Sequence, residues 1–147
     1  LKARIRAAKK SDSEEILNLL YQLERPRPKN KLERTRFRKR ILQYLLEPDK
    51  KILIAETGCK IIGLVSIVFT PRLNRTKLEM YVPDLVVAKK HQRSGAGKLL
   101  IDSCIEIAKK KNCFRIRLES GHRRKKAHKF YKKNGFEQPA KTYVLNL

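Results

Sequence analysis

The chain has 147 residues, with 37 Lys or Arg against 14 Asp or Glu, a formal charge of +23. Its length suits one domain with one core, and a 41% hydrophobic share can fill it. No apolar run approaches the ~18 residues of a membrane span, which excludes an integral membrane protein. The opening Leu1-Lys2-Ala3-Arg4 lacks both an initiator Met and the apolar stretch of a secretory signal. Cys59, Cys104 and Cys113 are odd in number and show no CxxC spacing, which argues against a disulfide scaffold and a cysteine zinc cluster. The cytoplasm is the expected compartment.

Lys2 to Ala8 alternates as a short strand. Ser11, with Glu14 three residues on, is the expected cap of a helix carrying Ile16, Leu17, Leu19, Leu20 and Leu23. Arg25-Pro26-Arg27-Pro28 breaks it, and a second helix is expected from Leu32 to Leu46, ending before Pro48. Strands follow at Ile52–Ala55 and Ile61–Phe69, joined by a turn at 57–59. Beyond a basic loop, Lys77 to Ala88 reads as one further strand that Pro83 interrupts as an edge, bulge or splay. A helix begins near Gly97 and carries Leu100, Ile101, Cys104, Ile105 and Ala108. Phe114–Leu118 is a strand, Arg124–Asn134 a basic helix capped by Gly135, and Phe136 with Thr142–Leu145 suggest one or two closing strands. The order is that of a single α/β domain.

The most informative stretch joins the buried Leu85-Val86-Val87 to Gln92-Arg93-Ser94-Gly95-Ala96-Gly97-Lys98 at the start of a helix. Glycines let backbone N–H groups approach a ligand closely, and a helix start offers unpaired donors and partial positive charge to phosphate. A tight turn uses the same residues. GxxxxGK[ST] is absent, and Leu100 stands where a dinucleotide fingerprint needs its third glycine.

Gln92-x-x-Gly95-x-Gly97 resembles the [QR]-x-x-G-x-[GA] acyl-CoA signature of the GNAT superfamily of N-acetyltransferases. Asp84-Leu85-Val86-Val87 resembles that family's splayed central strand, and Ala127-His128-Lys129-Phe130-Tyr131-Lys132-Lys133-Asn134-Gly135-Phe136 its A-x-x-x-Y-x-x-x-G-F segment. The resemblance spans nearly the whole chain. It departs at Arg93, often glycine, at Arg124, often asparagine, and at Lys89, where proline is common.

The resemblance implies a single GNAT-like domain over 1–147. Its sheet would be mixed, with six or seven strands including a splayed central one, flanked by about four helices. It implies acetyl-CoA as acyl donor, no metal, and direct transfer to a primary amine in a ternary complex. The N–H groups of Arg93, Ser94, Gly95, Ala96, Gly97 and Lys98 would take the pyrophosphate, Gln92 and Arg124 would contact the cofactor, and main-chain groups of Leu85 and Val87 would pair with pantetheine. An N–H at Val86 or Val87 would polarise the thioester. Tyr131 would be the general acid, although Ala127, Phe130 and Tyr131 at helical spacing also read as a core face. For the base, Glu119 leads, with Glu79, Asp84 and a water chain as alternatives, and cations around His122 disfavour its charged form.

The charge predicts anionic partners, among them nucleic acid or the ribosome, and clusters at Arg34–Arg40 and Arg123–Lys133. A basic wall repels a polycationic acceptor, which favours a small molecule or protein that is neutral or acidic overall, or an amine carried on a nucleic-acid-bound assembly. Against a pure nucleic-acid binder, no RRM, KH or finger pattern appears and aromatics do not interleave with the basic runs. A GNAT-like module that binds acyl-CoA without catalysis is a further alternative, and relatives that pair through C-terminal strands suggest a homodimer.

Overall fold

In a computed structural model describing residues 2–147, the chain forms two compact units that divide after Arg117. The first is built on a six-stranded mixed sheet. Its β-branched runs give β2 (Lys50–Thr57) and β3 (Lys60–Thr70), paired antiparallel across the Gly58 turn, where φ is +61°. β1 (Arg4–Ala7) lies antiparallel on β2, while β4 (Glu79–Val82) and β5 (Leu85–Val87) both pair with β3. β6 (Arg115–Leu118) adjoins β4, for a strand order β1-β2-β3-β4-β6 with β5 off the path.

Two sheet faces are covered. Ile16, Leu17, Leu19 and Leu23, from α1 (Ser13–Tyr21) and its C-terminal turn, join Ile41 of α2 (Lys31–Leu46) over Ile52, Ile54, Leu64 and Val86. On the opposite face stands α3 (Ala96–Lys110), whose Leu100, Ile101 and Cys104 are fully buried, Leu100 lying against Gly63. Each such aliphatic side chain contributes about 1.5–3 kcal/mol on burial.

The helix starts differ in part from expectation. Ser11 caps nothing: a 3₁₀ turn at Lys10–Asp12 precedes α1, and the buried Asp12 takes its place. The Asp12 carboxylate accepts from the Lys9 N–H (2.7 Å) and from both Nη atoms of Arg6 (2.7 and 3.0 Å). Arg6 also donates from Nε to buried Glu56 (2.8 Å), tying β1 to the helix start. The Arg6 guanidinium holds the Asp12 carboxyl below its usual range. In α2 the cap is Asn30, whose side chain accepts from Glu33 N–H at 2.9 Å.

The second unit carries α4 (Lys125–Lys133), closed by Gly135 at φ +88°. The closing strands expected at Phe136 and Thr142–Leu145 do not form: no residue beyond α4 joins a ladder, and Tyr143, Val144 and Leu145 are exposed. Their aromatic and β-branched composition is strand-like, but a strand exists only when a neighbour takes its backbone groups.

Candidate active site

Pro83 turns the single strand expected over 77–88 into two. β3 Val68 faces Tyr81 and Val65 faces Leu85, so Ser66 and Ile67 oppose the three residues Val82, Pro83 and Asp84. This is a β-bulge, and it reverses the alternation of the chain. Before it, even-numbered residues point away from β3: the Leu78 carbonyl accepts from Phe114 N–H at the start of β6 (2.9 Å). After it, even-numbered residues bond to β3, with Ser66 N–H on Asp84 O (2.9 Å) and Ala88 N–H on Ile62 O (2.8 Å). The main-chain groups of Leu85 and Val87 therefore face away from β3, along an edge that no strand of the described residues covers. Val86 turns its own inward.

Side chains hold the bulge. Ser66 Oγ donates to Asp84 Oδ2 (2.8 Å) and accepts from the Asp84 N–H (3.0 Å). Arg25 reaches Asp84 Oδ1 from Nε and Nη2 (3.1 and 3.0 Å) and donates to the Pro83 carbonyl (3.1 Å). Tyr44 of α2 donates to the Ile67 carbonyl (3.1 Å), and burial pushes its phenol up to about 12, so it stays a donor. Asp84, an alternative base in the sequence, is thus a structural pin. Gly63 makes room on the other side, since a Cβ there would meet the Val86 carbonyl at 2.9 Å.

Past β5 the chain makes a 3₁₀ turn (Lys89–His91) and enters α3 through two left-handed residues, Arg93 (φ +66°) and Gly95 (φ +91°). The first helical bond runs from Leu99 N–H to the Gly95 carbonyl (3.1 Å), leaving the N–H groups of Ala96, Gly97 and Lys98 as the orphan donors of the first turn. Ser94 is not part of that row, because its N–H donates to the His91 carbonyl (3.3 Å). Gln92, though exposed, folds back on the chain: its Nε2 donates to the Val87 carbonyl (3.2 Å), bracing the loop against β5. Lys98 pairs with Asp102 at 2.8 Å. Donors at a helix start beside an exposed Arg93 suit a diphosphate, and the open β5 edge suits a chain of amides.

Glu79, the other alternative base, is fully buried. Burial alone raises a carboxyl, but hydrogen bonds from Arg115 Nε (2.5 Å) and Arg117 Nε (3.1 Å) pull it below its usual range. A carboxylate so held is a poor proton acceptor. Burial raises the Cys104 thiol to about 12 and raises Cys113 too, so neither is a nucleophile. Among the described residues no group of three or more His, Cys, Asp or Glu gathers to hold a metal ion. No described helix is long and apolar enough to cross a membrane.

In the second unit Glu119 is exposed, just past β6. Arg124 is the N-cap residue of α4 and makes no side-chain cap bond. Tyr131 is half-buried, edge-on to Phe130 (5.4 Å between centroids) and Phe136 (5.7 Å). Phe136 N–H donates to the Tyr131 carbonyl (3.0 Å) and His128 Nε2 meets the Gly121 carbonyl (2.8 Å), which fixes the turn around the ring. Burial raises the Tyr131 phenol and Arg124 lowers it, with a net rise, so it is protonated at neutral pH.

With this geometry in view, residues 17–136 match the family model described as Acetyltransferase (GNAT) family. The chain belongs to the GNAT acetyltransferase family. A glucosamine 6-phosphate N-acetyltransferase of Trypanosoma brucei brucei is 29% identical over 98 residues, 66% of this chain. The match spans 65% of that curated relative's length. Among solved structures, an acetyltransferase of Trypanosoma brucei superposes with a TM-score of 0.83 at 25% identity, covering 99% of this chain and all of the other. The glucosamine-6-phosphate N-acetyltransferase of Arabidopsis thaliana gives 0.83 at 20% identity, with 99% of each chain covered, a likeness of fold. In this GNAT chain, sequence reasoning missed Ser66, Arg25 and the bond of Gln92 back to Val87. The only sequence signal for the first two was the proline they brace.

Proposed function

We propose that this GNAT chain transfers an acetyl group from acetyl-CoA to a primary amine on a small acidic molecule, by direct attack in a ternary complex. The observation that carries the reading is the open β5 edge leading into the orphan donors of α3. Leu85 and Val87 main-chain groups take the pantetheine amides as an added strand would, and the N–H groups of Ala96, Gly97 and Lys98, with Arg93, take the pyrophosphate. The Val87 N–H faces the open edge and polarises the thioester carbonyl, a contribution of about 3 kcal/mol for one such donor. Val86 bonds inward and shapes the edge instead. Tyr131 gives its proton to the departing thiolate, a role suited to a phenol whose protonation persists at neutral pH. Glu119, directly or through water, takes the proton of the attacking amine, and Arg124 at the start of α4 meets cofactor phosphate.

An acidic acceptor is supported by the charge of +23 and by two similar proteins named for glucosamine 6-phosphate. The test is release of free CoA thiol from acetyl-CoA with glucosamine 6-phosphate, glucosamine and spermidine as acceptors. Preference for the phosphorylated sugar supports the reading, and efficient use of spermidine at physiological salt ends the acidic-acceptor part. Tyr131→Phe is expected to lower turnover more than about 10-fold with acetyl-CoA affinity kept, and unchanged turnover removes Tyr131 from the acid role.

A further inference from the structure

The Glu79 cluster lies outside the residues proposed above for the transfer chemistry. Three guanidinia converge on one buried carboxylate: Arg115 and Arg117 through Nε, and Arg72 with Nη1 at 3.7 Å. A fourth, Arg75, stands over the Phe114 ring at 4.4 Å, with Arg115 over the same ring at 5.2 Å. Arg117 lies over Tyr81 at 4.3 Å. Arg75 has no acidic partner among the described residues. Three cations thus meet at one carboxylate with Arg75 beside them, and Lys77 in the same loop adds another exposed charge.

A carboxylate that engages the Nε edge of Arg115 leaves the terminal Nη donors of that fork turned toward solvent, where about half of the side chain is exposed. Rings on which guanidinia lie hold the planes flat. The cations and rings that do not interleave along the sequence do so here in space, because β4 and β6 are neighbours in the sheet. Planar donors beside aromatic rings are the chemistry that receives phosphates and stacked bases of a single strand.

The main rival is the outer face of α2, where exposed Arg36, Arg38, Lys39 and Arg40 make no ion pair among the described residues. That face is more charged but has neither a positioning carboxylate nor a ring under its guanidinia. The cluster also stands apart from the phosphate cradle. Lys111, just beyond the C-terminal end of α3, lies over Phe69 (5.0 Å), which pairs with Met80 next to Glu79. The cradle is at the other end of that 15-residue helix, about 22 Å away along its axis.

We propose that Arg72, Arg75 and Arg115, set by Glu79 and Phe114, form a docking site for single-stranded nucleic acid, separate from the acetyl-CoA cradle. The probe is a fluorescein-labelled 12-nucleotide mixed-sequence RNA, followed by anisotropy at several salt concentrations. The expected result is saturable binding that weakens at least 10-fold in R72A/R75A, with the slope of log K against log salt reduced by about 1.4 for two lost phosphate contacts. The charge-matched control R36A/R40A loses less than about 3-fold, and both variants melt as the parent does. Saturating acetyl-CoA leaves RNA affinity unchanged. Four results overturn the proposal: no saturable binding near physiological salt, equal or larger loss in the α2 control, displacement of RNA by acetyl-CoA, or equally tight binding of poly-glutamate.

Discussion

The loop before α3 contains two left-handed residues, only one of them glycine, so exchanging the residue type at each gives effects of opposite sign. At Gly95 (φ +91°) a Cβ would meet nothing within 4 Å, so Gly95→Ala adds no clash and reports backbone preference alone. A left-handed conformation costs an L residue about 1–2 kcal/mol, and loss of glycine's unfolded-state freedom returns about 0.4–1. The net is a loss of about 1 kcal/mol, or about 2–4 °C in Tm for a chain of this size. Arg93→Gly runs the other way: relief of strain at φ +66° exceeds the entropy cost by about 0.5–1 kcal/mol, and Tm rises by about 1–3 °C. Calorimetric melting gives both numbers, and titration with acetyl-CoA gives the functional half. Gly95→Ala weakens binding because the loop turns its donors aside to escape the strain, and Arg93→Gly weakens it by removing a charge while the protein becomes more stable. A Gly95→Ala protein that melts and binds as the parent does, or an Arg93→Gly protein that melts lower, refutes the account of this loop.

Glu79→Gln is expected to cost about 2 kcal/mol at pH 7, below the 3–5 typical of a fully buried pair because the guanidinia reach solvent. Its folded pKa lies below the unfolded one, so the wild-type advantage is present above about pH 4.3 and fades as pH falls through the folded value. The gap in Tm between the two proteins should therefore shrink from pH 7 to pH 3, and a constant gap means the carboxylate charge is not what the arginines hold. Ser66→Ala removes both hydrogen bonds to Asp84 and leaves a part-buried N–H unpaired; a loss of about 1–2 kcal/mol with weaker acetyl-CoA binding is expected in melting and titration. Iodoacetamide at neutral pH should label exposed Cys59 first and Cys104 only on unfolding, as peptide mass mapping would show.

The elements were legible where periodicity and punctuation agreed. Leu100, Ile101, Cys104 and Ala108 announce α3, and the glycine-rich approach to it announces the donors. Pro83 announces an interruption, but whether it leaves a bulge, an edge or a break depends on how many residues of β3 oppose it, which is a property of two segments together. The same limit explains the cap of α1. Ser11 has the right spacing, yet Asp12 takes the position because Arg6 of a neighbouring strand clamps it. Gln92 matches a signature residue by identity, and nothing local shows that its amide turns back to Val87. The tail beyond Gly135 fails in the opposite sense: Tyr143 to Leu145 are residue types that favour strands but meet no partner strand.

The bulge at Val82–Asp84 makes the site a matter of counting. Were the ladder to run straight on from Tyr81 at unchanged length, without the bulge, the register would slip by one and every main-chain group from Leu85 to Val87 would change sides. Val86 would then face outward, Leu85 and Val87 would be consumed by β3, and the strand would leave at a different angle toward α3. No side chain named for acetyl-CoA would have been altered. Which groups of this strand face the open edge is thus set by how its residues count off against β3, and a slip of register would cost the edge without changing any residue type.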